Sequence, residues 1–431
     1  MKEAIAVVGL GYVGLPTALA LHNVGFEVRG IDVSKRVVDM LAGGNSPLND
    51  STESLEIPVD SPRWSVSRSF EKGIGSSDMV IISVPTPTDG DSAPDLSYVE
   101  AAFHSVISNI DSNRGTILIL ESTVSPGTTR NVARKISSEL GMEIGVDFHL
   151  AYSPERVSPG EIGRSVTDVA RLVGCDDPNI GNRLAELYSS VTSGGCEYVG
   201  SIEVAEAAKM IENVQRDIDI AFVNELAIIL PQMGLDVEEV LEAASSKWSF
   251  HRHAPGIGVG GHCIPVDPYY YIDASKKLGV PSLLGPVARE INEAMPHLSA
   301  RTILRSIDGV AEARALILGF SYKPEVGDTR MTPVLQLATD MHRAGVEIVI
   351  WDPHVEPDEF PDWAVVVEDP YASKEVHIVV LTTAHSACLN LDWRKLLETC
   401  PTRNLFDGRR ALDKRKMESM GWIYSGVGLP R

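Results

Sequence analysis

Apolar residues along this chain follow two rhythms, and the change between them divides the sequence. Up to residue 200, short runs such as EAIAVVG (3–9), FEVRGID (26–32), MVIISVP (79–85), TILILEST (116–123) and FHLAYSPE (148–155) alternate with stretches of helical periodicity. Runs that are apolar almost throughout suit strands buried on both faces, and their alternation with helices predicts a parallel sheet covered on both sides. VARLVG and CEYVG extend that sheet. From Ile202 the rhythm becomes helical: EVAEAAKMIENVQRDIDIAFVNELAIIL predicts one long helix that stops at Pro231, with more helix to about Ser245. A Gly- and His-rich loop follows, then helix from about Pro268 to Ile307. ARALILGFSYKP opens a second β/α series whose further strands are VEIVIWDP, AVVVED, EVHIVVLTT and RNLFDGR. The pattern predicts an α/β domain over 1–200, a helical middle over 201–307 and a smaller α/β domain over 308–431.

The totals narrow the function classes. With 431 residues, 44% of them hydrophobic, the chain is long enough for several packed cores. Acidic residues outnumber basic ones 59 to 38, for a net charge of −21. That balance repels nucleic acid and anionic membranes, and no block of like charges supplies a local patch. An anionic ligand must therefore be met by individual Lys and Arg residues or by helix N-termini. The five cysteines are scattered without CxxC spacing, against both a disulfide framework and a zinc ribbon. His251, His253, His262 and Cys263 follow no tetrahedral ligand spacing, so no metal is expected. No apolar run reaches the ~18 residues of a membrane span. The apolar N-terminus lacks a cleavage-like end, which leaves the cytoplasm as the expected place.

Gly9-Leu10-Gly11-Tyr12-Val13-Gly14 lies between a strand and a helix, and Asp32 closes the next strand 18 residues after Gly14. Gly9 permits the tight turn, Gly11 lets a pyrophosphate approach the backbone, and Gly14 allows close packing of the helix. Tyr12 and Val13 complete this cofactor loop, their side chains reading as packing groups. A carboxylate at Asp32 suits two ribose hydroxyls and repels a 2′-phosphate, so NAD is expected rather than NADP. Three polar strand ends, Pro85 to Thr88 with Thr86, Glu121 to Thr123, and Pro154-Glu155, predict one ligand crevice at the carboxyl edge of the sheet.

Two further features carry chemistry. Lys209 and Asn213 stand four residues apart on one face of the long helix, with Asn224 returning to nearly the same angle. A cation and an amide there suit an oxyanion or a sugar hydroxyl; a solvated polar face has the same spacing. In GGHCIPVD (260–267), Gly260 and Gly261 allow close backbone approach, and Cys263 stands beside His262 shortly before a helix start. Locally this is either a nucleophile or a thiol next to a helix cap, and Asp267 before Pro268 reads equally as an N-cap.

Together these residues resemble the UDP-glucose/GDP-mannose dehydrogenase family. The resemblance runs through GLGYVGLP, ESTVSPGTT (121–129), SPERVSPG (153–160), EAAKMIEN (206–213), GVGGHCIPVDPYY and GFSYKPEVGDTR (319–330), in that order. It implies an α/β protein of two Rossmann-like domains with parallel sheets, joined by a long central helix and a helical dimerisation region. The implied reaction is oxidation of C6 of a nucleotide sugar from alcohol to carboxylate with two NAD. Cys263 would hold the aldehyde as a thiohemiacetal and then a thioester. Lys209 and Asn213 would stabilise oxyanions, and Asp267 would activate water or shuttle protons. Thr123 would join Glu155, a candidate base, in the water network, with Thr123 also beside the cofactor. Glu155, Arg156, Val157, Lys209, Asn213, Gly260 and Lys323 would contact the UDP-sugar, Arg252 would reach the partner subunit's substrate, and Arg330 the cofactor. Pro159 departs from the UDP-glucose branch, which carries a second glutamate there. The motifs look instead like the branch acting on UDP-N-acetylhexosamines, with UDP-N-acetyl-D-mannosamine expected ahead of UDP-N-acetylglucosamine and UDP-glucose. A two-electron β-hydroxyacid dehydrogenase needs neither the cysteine nor a second Rossmann-like domain. A non-catalytic sugar-binding protein needs neither Lys209 nor Cys263.

Overall fold

The apolar runs form the strands they predict, and their alternate side chains feed two separate layers. We describe a computed structural model of the chain over residues 3–48, 55–90, 93–157 and 165–430. It divides into two units, Met1–Glu212 with Tyr269–Pro281, and Asn213–Pro268 with Ser282–Arg431. The helical middle read as a domain of its own is thus shared between the two.

In the first unit the strands are β1 (Ala4–Val8), β2 (Glu27–Ile31), β3 (Trp64–Ser67), β4 (Met79–Ile82), β5 (Thr116–Leu120), β6 (Phe148–Tyr152), β7 (Arg171–Cys175) and β8 (Cys196–Tyr198). They lie in the order β3-β2-β1-β4-β5-β6-β7-β8. The helices are α1 (Gly14–Asn23), α2 (Lys35–Ala42), α3 (Phe70–Ile74), α4 (Ser97–Ile107), α5 (Thr128–Leu140) and α6 (Pro178–Ser189). Ile5 and Val7 of β1 pack with Leu15 and Leu19 of α1 and Leu184 of α6, whereas Ala6 and Val8 pack with Phe103 of α4 and Val132 of α5. A strand that must serve both layers has no polar face, which is why the runs read as continuous. The sheet departs from the expected parallel pattern at one pair, since β7 runs antiparallel to β6 with Ala151 opposite Cys175. Strand β3 carries no apolar run because it sits at the edge, pairs only with β2 and buries only Trp64.

Helix α7 (Ile202–Ile229) ends where Pro231 tightens the chain into a 3₁₀ turn over Leu230–Met233, and α8 (Val237–Ala244) follows. The helical stretch expected from about Pro268 to Ile307 comprises two helices, α9 (Asp267–Lys277) and α10 (Leu284–Ser306). Gly279 takes a left-handed φ of 71° between them and Pro281 follows, so neither residue can continue a helix. No single described helix is long and apolar enough to cross a membrane.

The second unit's sheet comprises β9 (Arg314–Leu318), β10 (Glu347–Trp351), β11 (Val365–Val366), β12 (Ile378–Leu381), β13 (Asn404–Asp407) and β14 (Ile423–Gly426), in the order β11-β10-β9-β12-β13-β14. Strand β14, like β3, is an edge strand that the apolar pattern does not disclose. Both sheets use one backbone device after their first strand. Gly9 (φ 89°) donates its N–H to Ile31 at 2.8 Å, and Gly319 (φ 92°) donates to Trp351 at 2.8 Å. In both, an aspartate closing the second strand takes backbone N–H groups from the turn: Asp32 from Leu10 at 2.9 Å, Asp352 from Phe320 at 2.6 Å and Ser321 at 3.0 Å. Asp352 is closed off further. His385 accepts the Glu325 N–H at Nδ1 (3.0 Å), so its ring proton sits on Nε2, 3.1 Å from Asp352.

Burial pushes Asp352 up, but His385 and the two N–H groups outweigh it and hold the carboxyl at about 2. A carboxyl whose folded value lies below the unfolded one stabilises above the unfolded value, and the contribution fades as pH falls through the folded one. The advantage of the native chain over D352N should be about 2 kcal/mol near neutrality and vanish between about pH 4 and about pH 2. Urea denaturation read by tryptophan fluorescence checks it, since five of the six tryptophans belong to this unit. A constant difference across that range contradicts it.

Candidate active site

The glycines after β1 separate into those the chain needs and one that leaves room. A Cβ on Gly9 would stand 2.2 Å from the Ser83 carbonyl oxygen, and one on Gly14 would stand 1.9 Å from that of Gly9. A Cβ on Gly11 would meet nothing within 4 Å. The opening lies at the start of α1, where Val13 provides no side-chain cap. N–H donors, positive potential and an open approach are what a dinucleotide pyrophosphate requires. Tyr12 and Val13 are half-buried at the rim. Asp32 is half-buried, its Oδ2 on Leu10 N–H and its Oδ1 on Ser34 N–H at 2.8 Å, so its orientation toward a ribose is fixed by the loop itself. These residues fit NAD.

At the carboxyl edge of this sheet, several of the polar groups expected to contact ligand also hold the edge together. Ser122 Oγ donates to the Val84 carbonyl at 2.7 Å and accepts the Val84 N–H at 3.0 Å. Thr86 is buried, and its carbonyl accepts the Tyr270 hydroxyl at 3.0 Å. Glu155 has both oxygens engaged: Oε1 accepts the N–H groups of Arg156 (2.6 Å) and Val157 (2.9 Å), and Oε2 accepts from Arg171. Arg156 makes a two-pronged pair with Glu212 of α7, at 3.0 and 2.6 Å. Thr123 is half-buried. Pro159 lies outside the described residues.

Helix α7 carries the next group. Glu206, fully buried, accepts the N–H of Gly127 (2.5 Å) and the N–H and hydroxyl of Thr129 (2.9 and 2.6 Å), so it caps α5 from outside. Burial raises its proton affinity and the three donors oppose that rise. One helical turn on is Lys209, 8% exposed and without an ion-pair partner among the described residues. Four residues further, Asn213 donates its amide to Asp267 Oδ2 at 2.5 Å. Asn224 does not share this function: it accepts the Gly256 N–H at 3.0 Å and donates to Asn292 at 2.8 Å inside the core.

The loop from Gly260 is built against the turn after β9. Gly261 has φ 88° and donates its N–H to the Arg330 carbonyl at 3.0 Å, and a Cβ there would stand 2.7 Å from the Tyr322 ring. A Cβ on Gly260 would stand 2.6 Å from Tyr322 Cβ. Cys263 is exposed, and its carbonyl accepts the N–H groups of Val266 (3.1 Å) and Asp267 (2.8 Å), a turn leading directly into α9. Burial, with Arg330 adding to it, holds His262 below the usual histidine range, and Asp328 offsets this only in part. The imidazole is thus neutral near pH 7 and is no cationic partner for the thiol. Asp267 is the first residue of α9, is 3% exposed, and its side chain serves Asn213.

Lys323 is half-buried in the turn after β9, and Arg330 is exposed there with its guanidinium on Asp328. Arg252 is exposed and bridges Glu238 and Glu242 of α8 at 2.6 and 2.7 Å. His253 faces Asp219 at 3.5 Å. Glu325, His354 and His385 offer ligand atoms within 4.8 Å of one another, but the His385 ring is committed to the hydrogen bonds already described. Two residues escaped the sequence reading: Arg171, for which a charge inside an otherwise apolar strand was the available signal, and Glu206, hidden in a helix of ordinary composition.

Profiles of the UDP-glucose/GDP-mannose dehydrogenase family match the chain in three parts: the NAD binding domain over residues 3–192, the central domain over 203–294 and the UDP binding domain over 316–414. The UDP-N-acetyl-D-mannosamine dehydrogenase of Pyrococcus horikoshii is 34% identical over 431 residues, covering 98% of this chain and 99% of that protein. The UDP-N-acetyl-D-glucosamine 6-dehydrogenase of Salmonella typhi is also 34% identical, over 88% of this chain and 89% of that one. Among solved structures, a UDP-glucose dehydrogenase from Pyrobaculum islandicum superposes with a TM-score of 0.86 at 27% identity, over 100% of this chain and 98% of the other.

Glu206→Ala leaves three donors, two of them buried, without their acceptor and should lower stability by about 1–3 kcal/mol. Glu206→Gln keeps one carbonyl oxygen and should lose less than half of that. Urea denaturation followed by circular dichroism measures both; equal losses contradict the capping role.

Proposed function

The chain belongs to the UDP-glucose/GDP-mannose dehydrogenase family, and on that premise we propose that it oxidises C6 of a UDP-N-acetylhexosamine to the uronate. Family membership makes it an NAD-dependent oxidoreductase of UDP-sugars. Our substrate of choice is UDP-N-acetyl-D-mannosamine, supported by the Pyrococcus horikoshii relative and by the departure at Pro159 from the UDP-glucose branch. The Salmonella typhi relative is equally identical, so UDP-N-acetylglucosamine is the second choice.

One observation carries the mechanism: an exposed thiol in a glycine-built turn whose last residue, Asp267, is held by the amide of Asn213. Bound NAD supplies the two-electron acceptor, once for the alcohol and once for the aldehyde. Between the two events the Cys263 sulfur adds to the aldehyde carbon, giving a thiohemiacetal that can lose a second electron pair. Its oxidation leaves a thioester on Cys263. Water then adds to the carbonyl, the C–S bond breaks, and the carboxylate and the thiol are released. Lys209, a buried cation without a carboxylate partner among the described residues, and the Asn213 amide would stabilise the oxyanion at C6 in each step. Asp267 takes the proton of water in this scheme. Thr123 would order that water. Lys323, Gly260, Arg156 and Val157 would line the substrate side and Arg330 the cofactor side. The exposed Phe222, Ile228 and Ile229 of α7 support self-association as a homodimer, with Arg252 extended toward the partner's substrate. A cytoplasmic place goes with this chemistry.

UDP-N-acetyl-D-mannosamine, UDP-N-acetylglucosamine, UDP-glucose and GDP-mannose offered with NAD should separate clearly. The mannosamine derivative should give two NADH per sugar and the highest kcat/KM; a higher value with UDP-glucose contradicts the substrate choice. Cys263→Ala should make no uronate, and two NADH per sugar at the native rate from that variant contradicts the thioester route. Asp32 should give NAD at least a tenfold advantage in kcat/KM over NADP, about 1.4 kcal/mol; equal values contradict its role.

A further inference from the structure

We infer that Arg171 is a positioning residue of the oxidation site, its one buried guanidinium tying the cofactor-binding helix to two of the strand ends that face the reaction. The inference rests on the reading above that this unit's carboxyl edge is where the sugar is oxidised. Arg171 opens β7 and is 1% exposed. Its NH1 group donates to Glu121 Oε1 at 2.7 Å, and its NH2 group donates to Thr17 Oγ1 at 3.1 Å and to Glu155 Oε2. The Tyr188 ring lies 4.8 Å from the guanidinium carbon, and its hydroxyl donates to Glu121 Oε1 at 2.8 Å.

Each partner belongs to a segment with a task. Thr17 is in the first turn of α1, whose N-terminus opens beside Gly11. Glu121 is two residues before Thr123. Glu155 closes the Glu155–Val157 turn with its other oxygen, and Arg156 of that turn holds Glu212, the residue before Asn213. Three segments separated by long stretches of sequence thus converge on one planar fork.

A purely stabilising role explains this cluster poorly. One cation faces two buried carboxylates, and Glu121 Oε2 and Arg171 Nε are both buried without a hydrogen-bond partner among the described residues. Apolar side chains of the same volume would fill such a core at less cost. Burial pushes Glu121 up, whereas Glu155 and Glu121 together outweigh burial at Arg171 and keep it charged. What the guanidinium provides that an apolar group or a lysine does not is three directed donors in one plane.

The test uses the full chain and whichever UDP-sugar the native enzyme oxidises, so a wrong choice of sugar leaves it intact. Arg171→Met should lower kcat about a hundredfold, the scale of an ångström misplacement, with KM for NAD and NADH affinity by fluorescence within about threefold. Arg171→Lys, able to meet one partner at a time, should recover about tenfold of that loss. Native kcat in Arg171→Met overturns the inference. So do equal kcat values in the two variants, with activity merely following their melting temperatures. Should Arg171→Met not fold, Glu155→Gln removes the anion while keeping the shape, and should depress both oxidation steps. Its loss should not add to that of Arg171→Lys in the double variant. Additive losses overturn the inference, as does a burst of two NADH per site followed by arrest, which places Glu155 in thioester hydrolysis itself.

Discussion

The rotation of helix α7 about its axis is the constraint on which the site depends. The proposed mechanism requires the Lys209 ammonium to reach the reacting carbon, and a helix can be turned by packing alone through many near-equivalent settings. Glu206 restricts that freedom, because its carboxylate takes three donors from the start of α5. Arg130, bridging Glu203 to Asp176, adds a second contact between the same helices. With Glu206 fixed, Lys209 follows one turn later and Asn213 one turn after that, by helix geometry. The two motifs ESTVSPGTT and EAAKMIEN are therefore halves of one contact as well as carriers of separate functional groups.

Much of this was legible in the sequence where one residue type serves one physical need. Gly9 and Gly14 sit where the spacing put a tight turn and a close packing contact, each leaving no room for a side chain, and Gly11 faces open space. The doubly covered strands were visible for the same reason. Edge strands β3 and β14 were not, because pairing on one side asks for no apolar run. The break between α9 and α10 was signalled by Gly279 and Pro281 but overridden by helical periodicity on both sides. The antiparallel β7 has no local signature at all.

Site residues whose partners lie far along the chain were the hardest to read. Glu155 is a candidate base only through the family resemblance; its three donors come from two following backbone groups and from Arg171, sixteen residues on. Asp267 before Pro268 read equally as a cap or a catalytic group, and its side chain accepts the amide of Asn213, fifty-four residues away. The second unit repeats the glycine turn and the aspartate of the first, but His385 closes the second aspartate. The same backbone device thus leaves a carboxylate disposed toward a ribose in one unit and locks it into the fold in the other.

The central claim is that Cys263 holds the sugar carbon between two oxidations. Acid quenching during turnover, followed by mass measurement of the peptide containing Cys263, tests it most directly. The account predicts a peptide heavier by the nucleotide-uronyl group, labile to mild base, present only with both sugar and NAD. Turnover to the uronate with that peptide unmodified throughout would contradict it.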